Sequence, residues 1–185
     1  FLLGLTGLDF EVIPADVDES TILGESPQDY VLRLAGDKAR AVAALQSDTK
    51  TIISADTTVV DDGEILGKPL NAADAERMLR QLRGHTHQVY TGLALLQSDG
   101  RLLPELGFTD VPMRSYADEE MAAYVASGDP LDKAGAYAIQ HDGFHPVENM
   151  KGCYANVVGL PLCHLVRSLN KIGLGPKENV PEQCQ

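Results

Sequence analysis

Four stretches of the chain place apolar residues at helical spacing, and they alternate with stretches that suit extended strands. The pattern predicts helices over 26–45, 71–83, 118–127 and 161–171. It predicts strands over 8–14, 51–60, 64–69 and 88–97, followed by extended chain to about residue 116. Pro104 and Pro112 are expected to interrupt that last segment. The elements alternate without repeats, so we expect one α/β domain, either as a single globule or with two lobes around a cleft.

The helix predicted from residue 26 carries a clear start signal. Ser26 suits the N-cap, Pro27 suits the first helical position, and Asp29 favours the positive end of the helix dipole. We expect its apolar stripe to face the core, with Arg33 on the opposite side. The stripe consists of Val31, Leu34, Ala35, Val42 and Leu45.

Lys38 interrupts this apolar stripe, because it lies four residues after Leu34 and four before Val42. Its aliphatic stem is therefore expected to pack inward, while the ammonium group must reach water or an anion. Snorkelling, in which the stem covers apolar surface and the charge reaches solvent, is the simpler explanation. An ammonium that holds an anion at the edge of the core is the alternative.

A carboxylate stands in the middle of a predicted strand. Asp56 lies within the β-branched run 51–60, although aspartate is depleted from strand interiors. The turn residues 61–63 predict a hairpin whose returning arm is 64–69. In a simple antiparallel register, Lys68 lies close to opposite Asp56. The two residues would then form a structural ion pair, or place a cation beside a ligand of the carboxylate.

Composition and charge exclude several classes of protein. The chain has 185 residues, of which 44% are hydrophobic, enough to bury a substantial core. Fifteen basic against 27 acidic residues give a net charge of −12, which argues against binding nucleic acid or anionic membranes. The sequence offers neither an apolar run of about 20 residues nor a signal peptide. We therefore expect a soluble, cytoplasmic protein with no nucleic-acid or membrane partner.

The cysteines and histidines do not form convincing metal sites. Cys153, Cys163 and Cys184 have no CxxC spacing, and we expect them to be free thiols. The His85-Thr86-His87 segment could place two imidazoles near a metal, but a solvated approach to the following strand is the expected arrangement. We likewise expect residues 141–145, with a histidine at each end, to form a loop.

The residues that remain suit chemistry on a polyphosphate. The sequence contains no GxxxxGK[ST] phosphate loop, no GxGxxG fingerprint and no GxSxG nucleophile elbow. What remains is a set of carboxylates and lysines. Carboxylates can hold a divalent ion or orient water, and lysines neutralise phosphate charge in the transition state.

Six segments, in this order and spacing over about residues 7–168, carry a much more specific signal. They are VIPADVDES, ESPQDYVLRLAGDKARAVA, SADTTVVDDGEILGKP, MLRQLRGHTHQVYTGLAL, YVASGDPLDKAGAYAIQ and GCYANVVGLPL. Together they closely resemble the Maf family of nucleoside triphosphate pyrophosphatases.

The resemblance implies both a fold and a reaction. The fold is a mixed α/β sheet with flanking helices, in two lobes around a nucleotide-binding cleft, related to the inosine triphosphate pyrophosphatases. The reaction cleaves the bond between the α- and β-phosphates and releases a nucleoside monophosphate and pyrophosphate. A divalent metal, usually magnesium or manganese, and a homodimer are also implied.

The resemblance extends to individual positions. Asp56 matches the family's proton acceptor, and Glu19, Lys38 and Lys68 match its acidic and basic active-site positions. Asp56 and Glu19 are the candidate metal ligands. The candidate substrate-binding residues are Thr57, Asp132, Lys133 and Gln140. The segment DKAGAY, followed by IQ and VVGLPL, looks most like the branch that acts on dTTP and UTP rather than on methylated GTP.

Two departures from the family pattern accompany the resemblance. Family members carry an N-terminal strand and a Ser-x-Ser-Pro-Arg-Arg loop before the segment that matches FLLGLTG, so we expect residues 1–172 to form a Maf-like domain without that part of the site. Residues 173–185 are expected to form a tail. His141 follows Gln140 where the family usually has glycine, which predicts a narrower base pocket.

Two alternative functions stay open on the sequence. The first is a nucleotide-binding regulator of cell division or septum formation that does not turn substrate over. The second is a phosphatase of the haloacid dehalogenase type, since Asp56-Thr57-Thr58 faintly resembles its nucleophile strand. That signature needs an aspartate two positions before Asp56, where this chain has Ser54.

Overall fold

The computed structural model describes residues 1–46 and 50–180 of the chain. The described residues form a mixed α/β fold with one four-stranded sheet in the order β2-β1-β3-β4. The strands are β1 (Ile52–Asp61), β2 (Glu64–Leu66), β3 (Thr86–Leu96) and β4 (Leu102–Pro112). The α-helices are α1 (Pro27–Leu45), α2 (Ala72–Leu82), α3 (Asp118–Ala126), α4 (Tyr154–Val158) and α5 (Leu162–Lys171). Short 3-10 helices span Leu2–Thr6, Asp129–Asp132 and Ala134–Ala136. The predicted fold class is therefore confirmed.

The helix α1 begins as its sequence predicts. The side chain of Ser26 accepts a hydrogen bond from the backbone N–H of Asp29, 3.1 Å away, and Pro27 occupies the first turn. The stripe from Val31 to Val42 is buried, but Leu45 is exposed because the helix ends there. The expected burial of Leu45 was therefore wrong.

The hairpin β1–β2 forms at the predicted turn, where Asp62 and Gly63 adopt left-handed backbone conformations. The two strands are antiparallel, and Val59 pairs with Leu66. Pairing ends at Leu66, so Lys68 lies beyond the ladder. The ladder therefore does not reach Asp56 and Lys68, and their predicted approach stays a prediction.

Two further strand predictions need correction. Residues 8–14 have no regular secondary structure, and only Leu8 of the alternating positions Leu8, Phe10 and Val12 packs against the core, whereas Phe10 and Val12 are exposed. Pro104 lies inside β4 rather than interrupting it, and Pro112 is its last residue. Because β4 is at one end of the sheet order, Pro104 can lack a backbone N–H on the unpaired side without losing a ladder bond.

The chain divides into two compact units, in agreement with the two predicted lobes. Unit 1 contains residues 1–57, 90–107 and the chain from 153 onward, and unit 2 contains 58–89 and 108–152. In unit 1 a leucine cluster joins β3 to α5; it consists of Leu93, Leu95, Leu162, Leu165 and Leu169. Cys153 and Cys163 in this unit are thiols, as predicted, whereas Cys184 lies outside the described residues.

Unit 1 holds α1 directly against β3. A Cβ atom added at Gly92 would lie 2.2 Å from the carbonyl oxygen of Val31, so only glycine fits at this position of the strand. The hydroxyl of Ser54 in β1 donates to the carbonyl oxygen of Ala35 in α1 over 2.6 Å. These two contacts fix the helix relative to both strands.

Part of the predicted tail packs onto unit 1. The backbone N–H of Lys177 donates to the carbonyl oxygen of Thr6 over 2.8 Å, and the Lys177 ammonium lies 2.9 Å from Asp9. Val180 packs against the leucine cluster. Within the described chain, no helix is long and apolar enough to cross a membrane.

Unit 2 is built around α2 and α3, with His87 in its core. The Nε2 atom of His87 lies 2.8 Å from the hydroxyl of Tyr137, and the two rings pack edge to face. His87 is fully buried, so the expected solvated position was wrong for this residue. Burial lowers the pKa of His87 to about 4, and the nearby Asp61 charge offsets this only in part.

We predict that His87 makes the protein sensitive to mild acid. An unfolded histidine titrates near pH 6.5, whereas the folded His87 resists its proton until about pH 4. The unfolded state therefore binds more protons between these values, and the free energy of unfolding should fall by up to about 3 kcal/mol as the pH falls through that window. Denaturant unfolding from pH 7 to 4.5 measures this slope.

The variant His87→Gln should flatten the slope between pH 6.5 and 4.5, although it lowers stability at pH 7. His145→Gln is the matched control, because His145 is exposed in a loop. Equal slopes for His87→Gln and the unchanged protein would contradict the assignment.

Candidate active site

One ammonium group in unit 1 joins two carboxylates from different parts of the chain. The Nζ atom of Lys38 lies 2.6 Å from Oδ1 of Asp56 and 2.7 Å from Oε1 of Glu19. The side chain of Asp56 is 10% exposed, that of Lys38 is 21% exposed and that of Glu19 is 47% exposed. The cluster therefore opens to solvent on the Glu19 side.

Each member of the cluster comes from a different kind of element. Lys38 lies on the buried stripe of α1, Asp56 lies in the middle of β1, and Glu19 lies in a segment without regular structure. The Ser54 hydrogen bond to Ala35 holds α1 and β1 together two residues before Asp56. The unexpected aspartate in the strand thus has a partner, as a mostly buried carboxylate requires.

The Lys38 ammonium is an ion-pair partner rather than a snorkelling charge. Burial is the largest single influence on its pKa and lowers it, but hydrogen bonds and charges from Asp56 and Glu19 together outweigh burial. The pKa of Lys38 is therefore raised above its ordinary value, and the group stays charged at neutral pH. Of the two explanations offered by the sequence, the structure supports the anion-holding one.

The donor set fits a divalent cation that also binds a substrate. Glu19 and Asp56 supply oxygen ligands, which magnesium and manganese prefer. Both carboxylates contact the same Lys38 ammonium, so they lie close together. Magnesium is commonly bound by one or two carboxylates together with substrate phosphates. Among the described residues no group of three or more His, Cys, Asp or Glu side chains could hold a metal alone. The residues thus fit a shared site rather than a closed protein cage.

Thr57, next to Asp56, belongs to a separate hydroxyl network. Its Oγ1 lies 2.9 Å from Oγ1 of Thr91, which donates to the carbonyl oxygen of Asn156 over 2.9 Å. A Cβ atom at Gly159 would lie 3.3 Å from the Thr57 hydroxyl oxygen. The network holds β1, β3 and α4 close together around Thr57.

The remaining candidate residues lie in unit 2. Lys133 donates to Asp132 over 2.5 Å and its ammonium lies 3.7 Å from Asp129. The hydrogen bond and charge of Lys133 lower the pKa of Asp132, and the charge of Lys68 lowers it further. Lys68 and Gln140 are exposed.

The segment 129–140, which carries these candidates, is fixed at several points. The hydroxyl of Tyr124 donates to Asp129 over 2.8 Å and accepts the backbone N–H of Ala138 over 3.0 Å. The backbone N–H of Gly135 donates to the carbonyl oxygen of Gly67 over 3.1 Å. A Cβ atom at Gly135 would lie 2.9 Å from methyl groups of Val59, so the segment packs closely on β1.

His141 and His145 lie in the loop that follows, as predicted. The Nδ1 atom of His141 accepts backbone N–H groups from Gly143 and Phe144, and its ring packs against Tyr124. His145 contributes its carbonyl oxygen to Arg114. The His141 ring is thus engaged within its own loop and with Tyr124.

Sequence reasoning missed two residues beside the cluster. Tyr30 donates its hydroxyl to the carbonyl oxygen of Glu19, and Arg33 donates to that of Ser20. Arg33 was expected on the outer face of α1, but its guanidinium also binds Glu25. The acidic composition of residues 15–25 was the only available signal, and it does not specify which helix residues would contact them.

Of the predicted site residues, Glu19, Lys38 and Asp56 are in direct contact in unit 1, with Thr57 adjacent in sequence. Unit 2 brings Lys133 and Asp132 into contact and places Lys68 within electrostatic reach of Asp132.

Comparison with known proteins identifies the family. The sequence profile described as "Maf-like protein" matches residues 1–172. The chain belongs to the Maf-like protein family.

Three similar proteins carry the same functional name. A protein named dTTP/UTP pyrophosphatase from Geobacter sulfurreducens is 49% identical over 174 residues, which cover 93% of this chain and 90% of that protein. A protein of the same name from Anaeromyxobacter dehalogenans strain 2CP-C is 47% identical, over 93% of this chain and 88% of its own length. Another from Syntrophus aciditrophicus is 42% identical, with 93% and 84% covered.

We predict that Lys38→Met destabilises this Maf-like chain. Methionine keeps the apolar packing of the stem but leaves two carboxylates facing each other without the ammonium between them. The ion pair is neither fully exposed nor fully buried, so its loss should cost more than that of a surface pair and less than that of a buried one. The free energy of unfolding should therefore fall by about 1–3 kcal/mol. Denaturant unfolding at pH 7 measures the change.

Lys171→Met is the matched control, because Lys171 also pairs with a carboxylate but is largely exposed. It should lower stability by less than about 1 kcal/mol. A Lys38→Met protein as stable as the unchanged one would restore the snorkelling explanation.

Proposed function

We propose that the chain is a nucleoside triphosphate pyrophosphatase that acts on dTTP and UTP. Water attacks the α-phosphorus, the bond from that phosphorus to the α,β-bridging oxygen breaks, and pyrophosphate leaves together with the nucleoside monophosphate. The contact of one lysine with two carboxylates in unit 1 carries the proposal. The 49% identity to the Geobacter sulfurreducens protein named dTTP/UTP pyrophosphatase supports the choice of reaction.

In this proposal Asp56 accepts a proton from the attacking water. Its carboxylate is nearly buried yet lies beside the solvent-facing Glu19, so a water molecule can approach from that side. Lys38 holds the Asp56 carboxylate in one orientation through its 2.6 Å contact. A positioned base of this kind contributes about 10²- to 10⁴-fold to a rate.

Glu19 and Asp56 are the proposed ligands of magnesium or manganese. Two carboxylates held at one ammonium offer the oxygen ligands that a divalent cation prefers. When bound, such a cation neutralises phosphate charge and polarises the phosphoryl oxygens. The two carboxylates also orient water, and Lys38 limits their mutual repulsion when no cation is bound.

The candidate residues of unit 2 are proposed to bind the substrate. Lys68 and Lys133 neutralise phosphate charge as it moves onto the leaving pyrophosphate. The carboxamide of Gln140 can donate to and accept from a pyrimidine edge, with Thr57 as the second residue of base choice. Asp132 keeps the Lys133 ammonium oriented through their direct contact.

Assembly and compartment belong to the same proposal. The resemblance favours a homodimer, and a nucleoside triphosphate substrate favours a place in the cytoplasm. Neither feature is needed for the contacts of Lys38 described above.

Product analysis of the full-length protein tests the reaction directly. We expect monophosphate and pyrophosphate from dTTP and UTP with magnesium or manganese, and at least tenfold lower kcat/KM with CTP and methylated GTP. Chromatography of the nucleotides, with separate assays for pyrophosphate and orthophosphate, distinguishes the products. Orthophosphate as the first product would instead indicate a phosphatase, and tight binding without turnover would indicate a nucleotide-binding regulator.

The variant Asp56→Asn tests the assigned base. Asparagine keeps an oxygen that can accept from Lys38 but cannot take a proton from water, so kcat should fall about 10²- to 10⁴-fold. The protein should still fold because Glu19 still binds the Lys38 ammonium, although the loss of the Asp56 charge should lower the melting temperature by a few degrees. Asp62→Asn, in the exposed hairpin turn, makes the same charge change and should retain full activity. Turnover unchanged in Asp56→Asn would rule out the role.

A further inference from the structure

Glu19 lies in a loop, so no helix or strand of its own fixes its backbone. Residues 18–25, named here the Glu19 loop, have no regular secondary structure apart from a turn at residues 23–24. Local bonds shape the loop itself: Asp18 accepts the backbone N–H of Ser20, and Glu25 accepts that of Ile22. These local bonds do not determine where the loop lies relative to Lys38.

Two residues on successive turns of α1 supply that missing connection. The hydroxyl of Tyr30 donates to the carbonyl oxygen of Glu19 over 2.9 Å, and Nη2 of Arg33 donates to that of Ser20 over 3.0 Å. The guanidinium of Arg33 also lies 5.5 Å from the centre of the Tyr30 ring, close enough for a cation–π contact. Two consecutive carbonyl groups are thus bound by two side chains that stabilise each other.

Arg33 also fixes the far end of the loop. Its Nε and Nη2 atoms bind the two carboxylate oxygens of Glu25 at 2.6 and 2.8 Å, a bidentate pair. This hydrogen bonding is the main reason that the pKa of Glu25 lies below its ordinary value. One guanidinium therefore connects both halves of the loop to α1.

The same helix supplies the ammonium that the loop must meet. Tyr30, Arg33 and Lys38 all belong to α1, so a single rigid element sets the backbone at Glu19 and the cation bound by its carboxylate. Because the Glu19 side chain is 47% exposed, packing alone does not hold it in place. The backbone contacts from α1 therefore limit its range together with the ion pair to Lys38.

We propose that Tyr30 and Arg33 are positioning residues that hold the Glu19 carboxylate at the Lys38–Asp56 cluster. The inference rests on the proposed function where it gives Glu19 a part in metal binding and turnover. Its structural half, the anchoring of the Glu19 loop by α1, stands independently of the reaction. Neither Tyr30 nor Arg33 is proposed to contact the substrate.

The test uses Tyr30→Phe and Arg33→Gln in the full-length protein, alone and combined with Glu19→Gln. Phenylalanine retains the ring and removes only the hydroxyl, and glutamine removes the charge and the bidentate bond. Matched controls are Tyr154→Phe and Arg40→Gln, which make the same changes at exposed positions. Arg40 lies on the same helix and hydrogen-bonds Asp37.

Steady-state kinetics measure the effect on the proposed site. Loss of one hydrogen bond should reduce kcat/KM about 3- to 10-fold in Tyr30→Phe, and loss of several charge-assisted bonds about tenfold or more in Arg33→Gln. The manganese concentration that gives half-maximal activity should rise, while the KM for UTP at saturating manganese should change little. The controls should match the unchanged protein.

A double-mutant cycle separates positioning from a general loss of structure. If Tyr30 and Arg33 act through Glu19, then adding Tyr30→Phe or Arg33→Gln to Glu19→Gln should lower activity little further. Additive losses in the double variants would overturn the claim that the two residues act through Glu19.

Hydrogen exchange tests the anchoring without reference to turnover. The backbone N–H groups of Ser20 and Ile22 should exchange faster in Arg33→Gln than in the unchanged protein or in Arg40→Gln. Exchange rates that stay unchanged in both Tyr30→Phe and Arg33→Gln would overturn the anchoring. If the unchanged protein releases no pyrophosphate, the proposed function fails, whereas faster exchange in the variants would still support the anchoring.

Discussion

The half-buried ammonium of Lys38 is the constraint on which unit 1 depends. A lysine on the core-facing stripe of α1 is stable only if anions meet it, because a charge without a partner is strongly disfavoured away from water. Asp56 meets it from β1 and Glu19 from an irregular loop. The close approach at Gly92 and the Ser54 bond to Ala35 then keep the helix from moving away. Structural charge compensation and the proposed chemistry therefore use the same three side chains.

Local sequence patterns predicted the elements that build this cluster. The cap at Ser26, the buried stripe of α1 and the DDG turn depend on neighbouring residues, so a single sequence contains enough information to find them. Lys38 and Asp56 stood out for the same reason, since each contradicts the pattern of its own element. The roles proposed for them in catalysis came from the resemblance to the Maf family, because spacing alone left both with structural explanations.

The errors arose where distant contacts decide the outcome. Residues 8–14 alternate like a strand but find no partner strand, and Leu45 loses its burial because α1 ends at that residue. His87 lies in a polar stretch of sequence, yet it is buried against Tyr137, fifty residues later in the chain. Arg33 looked like an outward-facing charge, because the loop carbonyl that it binds is thirteen residues away. No local periodicity encodes such pairs.

The Tyr124 hydroxyl affects how the segment 129–140 can change during evolution. It bonds both Asp129 and Ala138, so one phenol oxygen joins the two ends of the ten-residue stretch 129–138. Side chains between these ends, such as those of Leu131 and Asp132, are exposed and can be exchanged without releasing the backbone. Substitutions at these exposed positions should therefore cost little stability, because buried residues and the Tyr124 bonds set the path of the chain.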